Sequence, residues 1–158
     1  MAQSIGPMLR KQWRLLSGVP AGQWLFSRAL GLMVPYTGSI GGVVRKLEPG
    51  CCVVTLTDRR KVRNHLHSVH AIAQCNLGEM VTGLALMNSL PDQTRGILKG
   101  LSVEYLKKAR GTLTAECRCE IPPDNQRREY QLTGEIRDAE NEPVATITAD
   151  WLIGPEKE

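Results

Sequence analysis

The chain has 158 residues, 42% of them hydrophobic, which suits one domain with a core of its own. Its formal charge of +4 is mild, its 20 Lys and Arg residues are spread along the chain, and only 4% of its residues are aromatic. That composition lacks the dense basic stripe and stacking aromatics of a nucleic-acid binder and leans toward a small anionic ligand.

Residues 1–40 read as an N-terminal helical extension. Met8, Leu9, Trp13 and Leu16, then Trp24, Leu25, Ala29 and Leu32, recur at helical spacing, and Ser17-Gly18-Val19-Pro20 breaks the pattern. The expectation is two short amphipathic helices packed on the rest of the domain, which spans 41–158. From Val43 the period changes. Val43–Glu48 and Cys51–Thr57 read as two strands around the turn Pro49-Gly50. A basic loop with Arg59, Arg60, Lys61 and Arg63 leads into Asn64-His-Leu-His-Ser-Val-His70, residue types that suit a helix start with its unpaired amides. Pro91-Asp92 closes the helix, and Ile97–Leu106, Thr112–Ile121, Glu129–Arg137 and Val144–Ile153 read as further strands. The reading is α+β: an antiparallel sheet of about six strands around one long central helix.

That helix carries the main chemical signal. Glu79 is the only Asp, Glu, Lys or Arg between Asn64 and Asp92, and it lies midway along an apolar stretch. An ionised carboxylate in dry surroundings costs several kcal/mol unless paired, so a lone acid there needs a structural partner or a task. The stretch is nearly long enough to span a bilayer, but Gln74, Asn76, Glu79, Thr82 and Asn88 interrupt it, so a buried core helix and no membrane association are expected. Five cysteines, an odd number, with no paired Cys-x-x-Cys clusters and no apolar signal segment point to free thiols, no zinc site and a cytoplasmic setting. His65, His67 and His70 have no companion carboxylate nearby, so a metal is not expected there either.

The segment Asn64–Glu79 resembles the signature of hotdog-fold acyl-CoA thioesterases, especially the phenylacetate-pathway type. An Asn precedes a His by six positions, and an acid follows that His by nine. Leu98–Gly111 is similar to the family strand after the helix, and Glu142–Trp151 to its closing strand, so the likeness covers roughly residues 40 to 153. The N-terminal helices, with Leu32–Ile40, resemble a bacterial branch of hotdog proteins of uncharacterised activity. The resemblance implies thioester hydrolysis with Glu79 as general base or nucleophile and Asn64 as orienting group, the two meeting across a homodimer or a dimer of dimers. It also implies an oxyanion held by backbone amides near His70, Ala71 and Ile72, and an acyl tunnel lined by Met80 and Leu84.

Arg63, Lys107 and Arg110, with their basic neighbours, are candidates for the phosphates of coenzyme A, which enters as part of the substrate and not as a cofactor. His67, Ala71 and Ile72 stand where such enzymes often carry glycine, and glycine lets an amide approach a ligand closely. That departure supports the competing expectation of an acyl-CoA-binding or acyl-binding protein with weak or no catalysis. A hotdog dehydratase is disfavoured, because its His-Phe-Pro-type loop has no counterpart in the sequence.

Overall fold

The computed structural model describes residues 4–156; the ends of the two expected units, residues 1–3 and 157–158, lie outside the described residues. Three helices come first. Helix α1 (Gly6–Leu16) has Pro7 in its first turn, where a missing N–H is harmless, and buries Leu9. Helix α2 (Gly22–Met33) buries Phe26, Ser27 and Leu30, and Trp13 of α1 meets Phe26 edge-on at 5.1 Å, a contact worth about 1 kcal/mol beyond its buried area. Val34 precedes Pro35 and is pushed out of helical geometry, yet Pro35 then opens a third, four-residue helix, α3 (Pro35–Gly38). The sequence pattern did not show α3, because Pro35 reads there as a terminator. Its approach to α2 is close: a Cβ on Gly38 would lie 2.5 Å from the Gly31 Cα.

Strands β1 (Val43–Glu48) and β2 (Cys51–Leu56) form the expected hairpin, with Gly50 in the left-handed region at φ 70°. A long helix, α4 (Ala71–Met87), follows, then β3 (Thr94–Tyr105), β4 (Leu113–Arg118), β5 (Arg128–Arg137) and β6 (Pro143–Pro155). All pairings are antiparallel, and the six strands run in the order β1-β2-β4-β5-β6-β3. Strand β4 ends at Arg118, three residues short of the expected Ile121, where Cys119 turns its N–H to the Gly50 carbonyl of the hairpin.

Helix α4 packs against every strand of the sheet. It is buried on nearly all sides, which explains why its sequence shows no polar stripe. Inward side chains alternate along β6, from Ala145 and Ile147 to Ala149, Trp151 and Ile153. Gly78 lets α4 settle on this floor: a Cβ there would stand 2.3 Å from the Ile147 Cγ1.

The two edges of the sheet differ. Helix α2 borders β1, where Val44 N–H donates to Ser27 Oγ at 2.9 Å and Gln23 Nε2 donates to the Arg45 carbonyl at 3.1 Å. At the opposite edge β3 pairs only with β6, leaving a 12-residue strand with one side open among the described residues.

Candidate active site on the central helix

Glu79 sits mid-way along α4 and is half-buried. Among the described residues its carboxylate has no cationic partner; Thr37 Oγ1, from α3, donates to Glu79 Oε2 at a long 3.5 Å. Burial holds the Glu79 carboxyl above the usual glutamate range, and the Thr37 hydrogen bond pulls more weakly the other way. The carboxyl faces a cavity of about 180 Å³ whose walls include Leu30, Val34, Met80, Leu84 and Trp151. Gly83 leaves room there: a Cβ on it would lie 3.2 Å from the Trp151 ring and 3.7 Å from Glu79 Oε1. The Trp151 indole Nε1 is buried without a hydrogen-bond partner among the described residues, an N–H that an incoming acceptor could satisfy.

The start of α4 is built differently. Asn64 Oδ1 accepts from the Leu66 N–H at 2.9 Å, the Ser68 N–H at 3.2 Å and Ser68 Oγ at 3.2 Å, so this oxygen organises its own loop and leaves the Nδ2 side for a ligand. His67 sits in the left-handed region at φ 54°, a conformation that suits the glycine often found at that position in thioesterases. His70 is the N-cap of α4, its Nδ1 accepting from the Ile72 N–H at 3.0 Å.

This corrects the expectation of free amides at the helix start. The His70 N–H donates to the Val62 carbonyl at 2.8 Å and the Ile72 N–H is capped, so of the three only the Ala71 N–H has no partner among the described residues. Ile72 is 55% exposed. Together with Arg63, His70 and Asn76 it lines a cleft of about 230 Å³, separate from the Glu79 cavity. Nine residues at 1.5 Å each put Glu79 about 13 Å along the helix from His70, so one chain does not unite the two groups.

The expected phosphate ligands are dispersed. Arg63 pairs with Asp58 at 2.6 Å, and Lys107 is held by Asp138 at 2.6 Å and by Glu142. Both cations are thus partly neutralised locally, which raises the hold on their protons, while Arg110 is exposed. Two of their basic neighbours that the sequence also offered, Arg59 and Lys61, lie beside the cavity with Arg28 in a groove of about 300 Å³ that has no acidic residue in its lining. It shares Leu30, Thr37 and Met80 with the Glu79 cavity. Thr37, Trp151 and Arg28 escaped the sequence reading, since each is far from the signature segment and only the packing of α2, α3 and β6 on α4 brings them near it.

The five cysteines are free thiols. Burial first, and neighbouring thiols second, push Cys117 up to about 12 and Cys52 upward as well, which keeps both protonated and unreactive. Cys75, one turn before Glu79, is also raised, by burial and then by the Glu79 charge. No group of three or more His, Cys, Asp or Glu among the described residues is placed to hold a metal. Nor is any described helix long and apolar enough to cross a membrane.

A six-stranded antiparallel sheet wrapped on one helix is the hotdog architecture. A structural-genomics target shares it with 29% identity and a TM-score of 0.82, the match covering 94% of this chain and 99% of the other. So does a phenylacetic acid degradation-related protein of Ralstonia eutropha assigned to the thioesterases, at 22% identity and a TM-score of 0.65, covering 88% and 96%. A Streptococcus mutans protein bound to acetyl-CoA matches at 20% identity and a TM-score of 0.61, covering 73% and 90%. No curated protein matches the sequence. The chain belongs to the family described as Domain of unknown function (DUF4442), which matches residues 22–153.

Proposed function

We propose that the protein hydrolyses an acyl-CoA thioester with Glu79 as the catalytic carboxylate. The observation that carries this reading is a half-buried acid with no cationic partner among the described residues, facing an apolar cavity. As a base, Glu79 takes a proton from water while the water oxygen attacks the thioester carbonyl; the tetrahedral oxyanion then collapses, the carbon–sulfur bond breaks, and acid and thiol leave. As a nucleophile, its oxygen attacks the thioester carbonyl, the carbon–sulfur bond breaks and the thiolate leaves, and water then opens the acyl anhydride, releasing the acid, restoring the Glu79 carboxylate and supplying the proton that the thiolate takes up. Raised proton affinity suits the first role, because a stronger base abstracts the proton more readily.

The open side of β3 supports a homodimer formed by pairing of that edge, in which the Asn64–His70 loop of one copy meets Glu79 of the other. Acetyl-CoA bound to a protein of the same fold supports coenzyme A as carrier. The groove with Arg28, Arg59 and Lys61 suits its phosphates better than the neutralised Arg63 and Lys107.

A second reading, acyl-CoA binding without turnover, is favoured by one observation, the engagement of the His70 and Ile72 amides that would otherwise hold an oxyanion. Turnover of a panel of acyl-CoAs by the pure protein decides. The expected result is hydrolysis that falls about a hundredfold or more in Glu79→Gln, the scale of a lost general base. Undiminished hydrolysis in Glu79→Gln would remove the acid from the mechanism. Absence of cleavage, with acyl-CoA still raising the melting temperature, would establish the binding reading.

A further inference from the structure

The cavity at Glu79 is only partly a product of the sheet and its helix. Its lining on α4 runs from Glu79 through Gly83 to Met87, two turns or about 12 Å along the axis. Facing that row stand Ile5, Leu30, Val34 and Thr37, all from the N-terminal segment. The far end is held by contacts of α1 with the end of α4. A Cβ on Gly6 would lie 2.7 Å from the Met87 carbonyl oxygen, which seats the first turn of α1 directly on α4. Arg10 Nη1 donates to the carbonyls of Asn88 at 3.2 Å and Leu90 at 3.1 Å, and Arg10 pairs with Asp92 at 2.6 Å. Apart from Glu79, Thr37 and the Trp151 indole, the lining carries no polar side chain.

Volume then sets the occupant. A closed apolar cavity of about 150 Å³ takes one benzene ring; the one at Glu79 holds about 180 Å³ and is open to solvent on one side, so the walls at its far end decide how long a group it accepts. Resting on the hydrolase reading above, we infer that the N-terminal helices form the wall that measures the acyl group, restricting it to one aromatic ring or an aliphatic chain of about six carbons. Fatty acyl groups of ten or more carbons meet Ile5 and Met87 before their carbonyl reaches Glu79. Arg10 is a positioning residue in this arrangement: it touches no substrate and acts by pinning α1 across the end of the cavity.

The test compares acetyl-, hexanoyl-, phenylacetyl-, decanoyl- and palmitoyl-CoA as substrates of the full chain. In the wild type kcat/KM should peak at hexanoyl or phenylacetyl and drop at least about tenfold by decanoyl, since a single misfitting methylene is worth that factor or more. Val34→Phe, at a position 39% exposed, should fill the cavity and lower hexanoyl and phenylacetyl turnover about tenfold. Arg10→Ala should free the end of the cavity and raise the decanoyl-to-hexanoyl ratio, with acetyl turnover unchanged. Equal efficiency from two carbons to sixteen, or both variants leaving the length profile unmoved, would overturn the inference. Melting temperatures with benzene and with hexanoate separate this failure from that of the hydrolase reading. If no thioester is cleaved but benzene stabilises the wild type and not Val34→Phe, the hydrolase reading falls and the cavity assignment stands. If neither benzene nor hexanoate stabilises the protein and no length preference exists, the cavity assignment falls as well.

Discussion

The start and the middle of helix α4 treat polar groups in opposite ways. At the start, Asn64 satisfies three donors, His70 caps the Ile72 amide, and the Val62 carbonyl takes the His70 N–H, so polar groups are spent on local order. In the middle, among the described residues, Glu79 has one long hydrogen bond and apolar walls, and the Trp151 N–H has no partner. A folded chain tolerates the second state only at a cost, because a desolvated carboxylate is less stable than a hydrated one. The comparison teaches that spacing alone does not rank site residues. Asn64 and Glu79 both fit the family signature, yet one is anchored in its loop by three hydrogen bonds and the other has a single long one among the described residues.

Several changes would break or sharpen this contrast. The largest effect should come from pH on turnover. Glu79 must be ionised to act, its carboxyl is held above the usual glutamate range, and kcat/KM should therefore rise with pH through that elevated value and then level. A profile already flat from about pH 4 upward would place no raised acid in the reaction.

Asn64→Ala comes next. It removes one acceptor from three donors and should cost about 1–3 kcal/mol of stability, seen as a lowered denaturant midpoint. Asn64→Asp keeps the accepting oxygen while replacing the Nδ2 donor with a charged acceptor, so it should hold most of that stability and lose turnover. If Asp lowers neither, Asn64 is a loop residue alone. His70→Ala should cost about 1 kcal/mol, the usual loss for a helix N-cap, and should leave the pH profile of turnover in place.

The smallest effect is on stability, and its sign follows from linkage. A carboxyl whose folded-state proton affinity is raised contributes stability below its unfolded pKa, and this is lost as pH rises through the folded value. Glu79→Gln removes that loss, so its melting temperature should exceed the wild type's at neutral pH and the gap should close toward about pH 4. A gap that widens on acidification would reveal an ion pair at Glu79 instead of desolvation.

Much of the fold was legible because its elements obey simple periods. The alternation in β6, the Pro49-Gly50 turn and the mostly apolar run of α4 each follow from one-dimensional chemistry. Helix α3 was not legible, since a proline after Val34 reads as a stop and only its packing against Gly31 shows it to be a new start. Similarly, β4 ends early because its last residues turn to the hairpin, a contact between segments distant in the chain.

What the sequence determined by itself is the central helix, its lone acid and the strands that wrap it, because burial preferences and backbone periods are local properties of neighbouring residues. Tertiary structure alone decided the surroundings of that acid. Thr37, Leu30 and Ile5 reach the cavity from the N-terminal helices, Trp151 closes it from the last strand, and Arg63 and Lys107 are drawn to Asp58 and Asp138. Volume, desolvation and charge pairing depend on which side chains meet in space, and in this protein those side chains come from opposite ends of the chain.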